Sequence, residues 1–130
     1  MYTYIDKKIP NQPPEKEYGN KEYKRYLINH PKNNQEKFIE KRATQMLFRI
    51  IEGNGKAVYL FGVEDNGIIK EMDENQLQTT LFYLKKIASS IQALIKKIRI
   101  YKSKNGFVCS ARIQLSEEIF TNIMDSINSF

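Results

Sequence analysis

The chain has 130 residues, 41% apolar and 28% charged, with a net charge of +6 and a pI near 9.3. Those values describe one folded domain with a modest core, consistent with a polyanionic partner, and no apolar run approaches the roughly 20 residues that cross a bilayer. Met1 to Lys7 lacks the apolar stretch of a secretory signal, and the single cysteine, Cys109, excludes an internal disulfide and reads as a buried strand thiol of a cytoplasmic protein.

Residues 1–20 are polar and carry Pro10, Pro13, Pro14 and Gly19. They read as an extended arm, poorly ordered at its start. Residues 21–130 read as one α+β domain. Glu22 to Ile28 is aromatic and branched, so it predicts a short strand, which Asn29-His30-Pro31 ends. His30 has no second His or Cys to work with and reads as a loop residue. A helix follows over about 34–51, with Phe38 or Ile39, Ala43, Met46, Leu47 and Ile50 at helical spacing. Lys37, Lys41, Gln45 and Arg49 fall on its opposite, polar face, and Gly53-Asn54-Gly55 stops it.

Ala57 to Phe61 and Ile68-Ile69 flank Asn66-Gly67, which predicts a β-hairpin over about 56–71. Glu64 and Asp65 stand at its mouth, where turn geometry does not need them. Asp73 can cap a second helix over about 74–93, whose stripe of Leu77, Leu81, Leu84, Ala88 and Ile91 belongs to the core. Ile95 to Tyr101 alternates in part, Asn105-Gly106 signals a second hairpin, and Phe107 to Leu115 alternates throughout. Ser116-Glu117-Glu118 opens a last helix carrying Phe120, Ile123, Ile127 and Phe130. The predicted order is β-α-β-β-α-β-β-α, with helices on one face of a mainly antiparallel sheet.

Several chemistries are excluded. The only Gly-Lys pair, Gly55-Lys56, is followed by Ala57, and Ile50 stands where a phosphate-cradling loop needs its first glycine. The chain therefore does not hydrolyse nucleotide by that route, and no nucleotide cofactor is expected. One His and one Cys build neither a zinc site nor a nucleophilic triad.

Carboxylates and cations remain. Glu22 and Lys24 share a strand face by the period of two. Gly19-Asn20 can turn the chain and return Glu17 to that face. If the first strand lies beside the hairpin, Glu17, Glu22 and Asp65 converge as three hard oxygen ligands for Mg²⁺ or Mn²⁺, with Lys24 placed to neutralise a phosphate. The competing reading is that these acids are solvated. From Asn75 to Ser116 there is no acid, while Lys85, Lys86, Lys96, Lys97, Arg99, Lys102, Lys104 and Arg112 all fall there. Cations interleaved with tyrosines suit RNA, whose phosphates need charge and whose unpaired bases stack on rings. A solvated helix face accounts equally for Lys85 and Lys86, and an edge strand guarded by lysines accounts for Lys96 to Lys104.

Pro13 to Lys24, Thr44 to Arg49, Glu52 to Tyr59 and Gly62 to Gly67 together resemble, in unbroken order over about residues 13–95, the N-terminal domain of elongation-factor-1-alpha-related GTP-binding proteins, which are translational GTPases. The resemblance implies a translation-associated domain that engages tRNA or ribosomal RNA. It covers no G domain, so GTPase activity is not implied, and the chain is either a standalone relative or a piece of such a protein. More distantly, Glu17, Glu22 and Lys24, then Gly53 to Gly55, then Asp65 resemble the Schlafen-type RNase core, in which three acids form a metal-dependent nuclease site. That core pairs two lobes in a U. This chain is similar to one lobe, so a homodimer or a Schlafen-like hetero-oligomer would complete the shape, with Lys85 to Arg112 as an RNA floor.

The leading expectation is thus a Schlafen-like RNA-binding domain using Lys85, Lys86, Lys96, Lys97, Arg99 and Lys102. A metal-dependent endoribonuclease acting on tRNA or rRNA through Glu17, Glu22, Asp65 and Lys24 is the first alternative. A non-enzymatic protein-interaction module using the last helix and the arm is the second.

Overall fold

The computed structural model describes residues 2–30 and 34–129. Pro31, expected to close the first strand, and Phe130, expected on the last helical stripe, lie outside them. The elements are β1 (Tyr2–Asp6), β2 (Lys21–Lys24), α1 (Gln35–Glu52), β3 (Lys56–Phe61), α2 (Glu74–Ser90), β4 (Leu94–Ser103), β5 (Gly106–Gln114) and α3 (Glu117–Asn128). The strands form one sheet in the order β1-β4-β5-β3-β2. The inner ladders, β4 with β5 and β5 with β3, are antiparallel, and the outer ones, β1 with β4 and β2 with β3, are parallel. The α+β class holds, with antiparallel pairing at the centre of the sheet. No helix among the described residues is long and apolar enough to cross a membrane.

The helices begin where their caps place them. Asn34 accepts from the Lys37 amide, Ser116 accepts from the Ile119 amide, and Asp73 and Gln76 exchange bonds in a reciprocal capping box. The strands alternate as their sequences do. Ala57, Tyr59, Phe61, Ile98, Ile100, Cys109, Ala111 and Ile113 face the helices and are buried with Met46, Ile50, Leu84 and Ile87. Each such fully buried aliphatic side chain contributes on the order of 1.5–3 kcal/mol. Burial pushes the Cys109 thiol up to about 12, so the thiol stays protonated and inert at neutral pH. A smaller cluster of Tyr23, Val63 and Val108, joined by Ile9, Leu60, Ile69 and Tyr101, lies against one end of the opposite sheet face.

Two elements differ from the sequence expectation, one through what pairs with β4 and the other through what pairs with β3. The arm does not begin disordered: Tyr2–Asp6 is a strand, in register with Ile98 to Lys102. Tyr-Thr-Tyr-Ile-Asp is built of strand-forming residues, but it precedes a polar, proline-bearing stretch, and its partner on β4 lies more than 90 residues away in the chain. The expected return strand of the first hairpin does not form. β3 already has β5 on one side and β2 on the other, so the chain after Phe61 cannot fold back beside it. Instead residues 62–72 cross the sheet's end, making only isolated bridges at Val63–Ile69 and Met72–Phe107. β2 also ends early, at Lys24. Leu27 leaves the sheet and gives its amide to the buried Thr80 hydroxyl of α2 at 3.0 Å.

The Asn66-Gly67 turn itself forms, and the arm is docked onto it. The Gln12 amide donates to the Gly67 carbonyl at 2.8 Å, and the Glu15 amide donates to the Asp65 carbonyl at 2.7 Å. Gly67 has φ +90°, and a Cβ there would lie 1.9 Å from the Gln12 carbonyl oxygen. Both its backbone and its neighbour therefore require glycine. Gly67→Ala is expected to cost more than about 1 kcal/mol in urea unfolding and to speed proteolytic cleavage between residues 7 and 16. Unchanged cleavage would show that the arm does not depend on this contact.

Candidate functional site

β2 alternates so that Glu22 faces the helix layer and Tyr23 the opposite one. Glu22 is therefore carried inside, 1% exposed, beside Tyr59 of β3. A buried carboxylate needs a partner, and α1 supplies it. Arg49 Nε donates to Glu22 Oε1 at 2.7 Å, and Lys24 Nζ lies 3.6 Å from Glu22 Oε2. The same guanidinium gives NH1 to the Gly19 carbonyl and NH2 to the Lys16 carbonyl, each at 3.0 Å. Its NH2 is 3.9 Å from Glu15 Oε1. One cation on α1 thus pins β2 and the last turn of the arm.

The second acid at this site is Glu15, not Glu17. Glu17 is exposed. Glu15 accepts a short hydrogen bond from the Tyr23 amide. Its pKa is raised, chiefly by burial, which the amide bond opposes, and further by the Glu22 and Asp65 charges; Arg49 pulls the other way. The burial of Tyr59 and the Glu22 charge likewise raise the Tyr59 phenol. Asp65 is exposed at the turn, close enough to act on Glu15 through charge.

The expected trio of Glu17, Glu22 and Asp65 is thus not brought together among the described residues: Glu17 and Asp65 are exposed, and Glu22 is buried against Arg49. Among the described residues no group of three acids, histidines or cysteines is placed to hold a metal ion. Of the two oxygens of Glu22, Oε1 accepts from Arg49 and Oε2 lies beside Lys24. Arg49 had been placed on the solvent face of its helix. It is 4% exposed, and the spacing that could have shown this is its three-residue step from the buried Met46.

The cations divide between the two sides of the sheet. Lys85 and Lys86 stand on α2, where Lys85 Nζ lies over the Tyr2 ring at 5.3 Å and Lys86 Nζ over the Phe82 ring at 5.0 Å. Lys96 sits at a register shift of β4, and Lys102 Nζ lies 6.0 Å from the Phe107 ring centroid. β1 pairs with the outer side of β4 only from Ile98 to Lys102, so guarding a free edge does not explain Arg99 and Lys102, whereas Lys96 and Lys97 precede the paired stretch. Lys97 and Arg99 alternate with the buried Ile98 and Ile100 and therefore face away from the helices. Register aligns Lys21 with Val58, Val58 with Arg112, and Arg112 with Lys97. Three cations thus lie in one row across four strands, spanning about 14 Å at the usual strand spacing. Arg99 and Lys56 each stand one same-face step along from that row. No strand residue on this face is acidic. Lys97 and Arg112 stand directly opposite each other, a like-charged pair that works against the sheet. Lys21 and Lys56 had not been singled out in the sequence; period-two alternation carries that signal only once the strand partners are known.

No family model matches the chain and no solved structure matches it. Two curated proteins do, over a shared stretch of 90 residues at 42% identity. The chain is similar to a segment of GTP-binding protein 2 from Mus musculus and from Homo sapiens. The match takes in 69% of this chain and 14% of each relative. That agrees with the resemblance to a GTP-binding protein and leaves the Schlafen-type likeness resting on the motif residues alone.

Removing one partner of a buried ion pair costs about 3–5 kcal/mol, while replacing both with apolar groups recovers most of it. Arg49→Met should therefore destabilise by that amount in urea unfolding, and Glu22→Leu with Arg49→Met should be markedly more stable than Arg49→Met alone. Because the folded Glu15 carboxyl holds its proton more tightly than the unfolded one, its ionisation works against folding. Stability relative to Glu15→Gln should fall as pH rises from below the usual carboxylate range to above Glu15's raised pKa. A pH-independent difference would remove that assignment.

Proposed function

We propose that this chain is an RNA-binding domain associated with translation in the cytoplasm, engaging tRNA or ribosomal RNA through the acid-free face of its sheet. The observation that carries the reading is the row Lys21, Arg112 and Lys97, with Arg99 and Lys56 beside it. A sheet gains nothing for its own stability by setting Lys97 opposite Arg112, whereas a phosphate between them relieves the repulsion. The similarity to GTP-binding protein 2 supports the translational part of the reading, taken with the motif resemblance. The face centres on Lys97 and Arg99 of the expected set and recruits Lys21, Lys56 and Arg112. Lys85 and Lys86, on the helix side, are peripheral to it. Nuclease chemistry gains no support from the acids, which Arg49 holds as a structural cluster.

The test is tRNA binding by fluorescence anisotropy across a salt series. Log affinity should fall steeply with log salt. Lys97→Ala and Arg112→Ala should each weaken binding to different RNAs alike and lower the slope by about 1. Lys85→Ala with Lys86→Ala should change it less. A wild-type slope near zero, or variants of Lys97 and Arg112 that bind unchanged, would sink the proposal.

A further inference from the structure

We infer that the cleft between the arm and the outer edge of β2 seats a single unpaired nucleotide of the bound RNA; this rests on the RNA-binding reading above. The cleft has a volume of about 300 Å³ and runs from Pro13 to Tyr23. Among the described residues β2 is the last strand on its side of the sheet, so the cleft opens at the border of the basic face.

The basic face offers a base no fully exposed ring. Of the rings on it, Tyr23 is 4% exposed and Tyr101 is packed into the small cluster. The cleft offers an exposed one. Tyr18 is 68% exposed on its wall, and the rings of Pro13 and Pro14 stand in the same lining. An exposed tyrosine on a loose loop would mean little. This one is held on a rigid support, because Arg49 bonds the Lys16 carbonyl before it and the Gly19 carbonyl after it. The ring is therefore presented with little ordering left to lose on binding.

Charge continues from the face into the cleft. Lys21 is both the end of the cation row and part of the cleft lining, and Lys16 stands on the same rim. A strand whose phosphates follow the row arrives at the cleft with its backbone at the rim and its base directed at Tyr18. The titratable groups facing the cleft are Lys16, Lys21, Tyr18, Tyr23 and Glu15. Glu15 is the single acid among them. It repels a phosphate from the inner wall and accepts from an N–H donor, so the base and not the phosphate goes inside.

The experiment compares two RNAs, a blunt hairpin duplex and the same hairpin with one unpaired 3′ nucleotide, by fluorescence anisotropy at fixed salt. The wild type should bind the extended RNA about tenfold more tightly, in keeping with one stacked base. Tyr18→Ala should abolish that preference without weakening the blunt hairpin, and Tyr18→Phe should retain it. Lys97→Ala with Arg112→Ala should weaken both RNAs by the same factor. Equal binding of the two RNAs by the wild type, or a preference that survives Tyr18→Ala, would overturn the cleft assignment and leave the RNA-binding reading standing. Failure to bind either RNA would overturn both.

Discussion

The ion pair between Arg49 and Glu22 is the constraint on which the rest of the molecule turns. Burying two charges is expensive unless they face each other and their remaining donors and acceptors are met. Here Arg49 meets Glu22 on one side and the Lys16 and Gly19 carbonyls on the other, and Lys24 stands near the remaining oxygen of Glu22. α1, β2 and the arm's turn are thereby fixed to one another at a single point. Without it β2, only four residues long, would have little to hold it against β3.

That fixation has two consequences. It engages Glu22, the buried acid of β2, so that residue ties the strand to α1. It also sets the far edge of the sheet. With β2 held in register, Lys21 falls into line with Arg112 and Lys97, and the segment carrying Tyr18 is presented at a defined height beside them. The arm's other anchor, on the Gly67 turn, keeps Glu15 over β2. A row of cations is thus assembled from elements far apart in the chain.

The arm and the last helix, which the protein-interaction alternative would use, both take part in the fold. The first residues of the arm are built into the sheet as β1. Ile119, Phe120 and Ile123 of α3 lean on the core, although no residue of that helix is fully buried. Both segments still present apolar side chains outward, Tyr4 on the edge strand β1 and Ile127 on α3.

Much of the architecture was legible in the residues themselves. The three helices, their caps at Asn34, Asp73 and Ser116, the alternation of β3 and β5, the Asn66-Gly67 turn and the burial of Cys109 all follow from local periodicity and side-chain chemistry, which act over a few residues. What the sequence could not decide was partnership. β1 exists only because β4 offers it a parallel edge, and the expected return strand is missing only because β2 and β5 had already taken both sides of β3. The choice of Glu15 over Glu17, the burial of Arg49 and the cation row through Lys21, Arg112 and Lys97 each depend on which distant strand or helix lies alongside. A residue's chemistry is written in the chain, but which charges meet is a property of tertiary register, because charges interact through space and the sequence orders them only along the backbone.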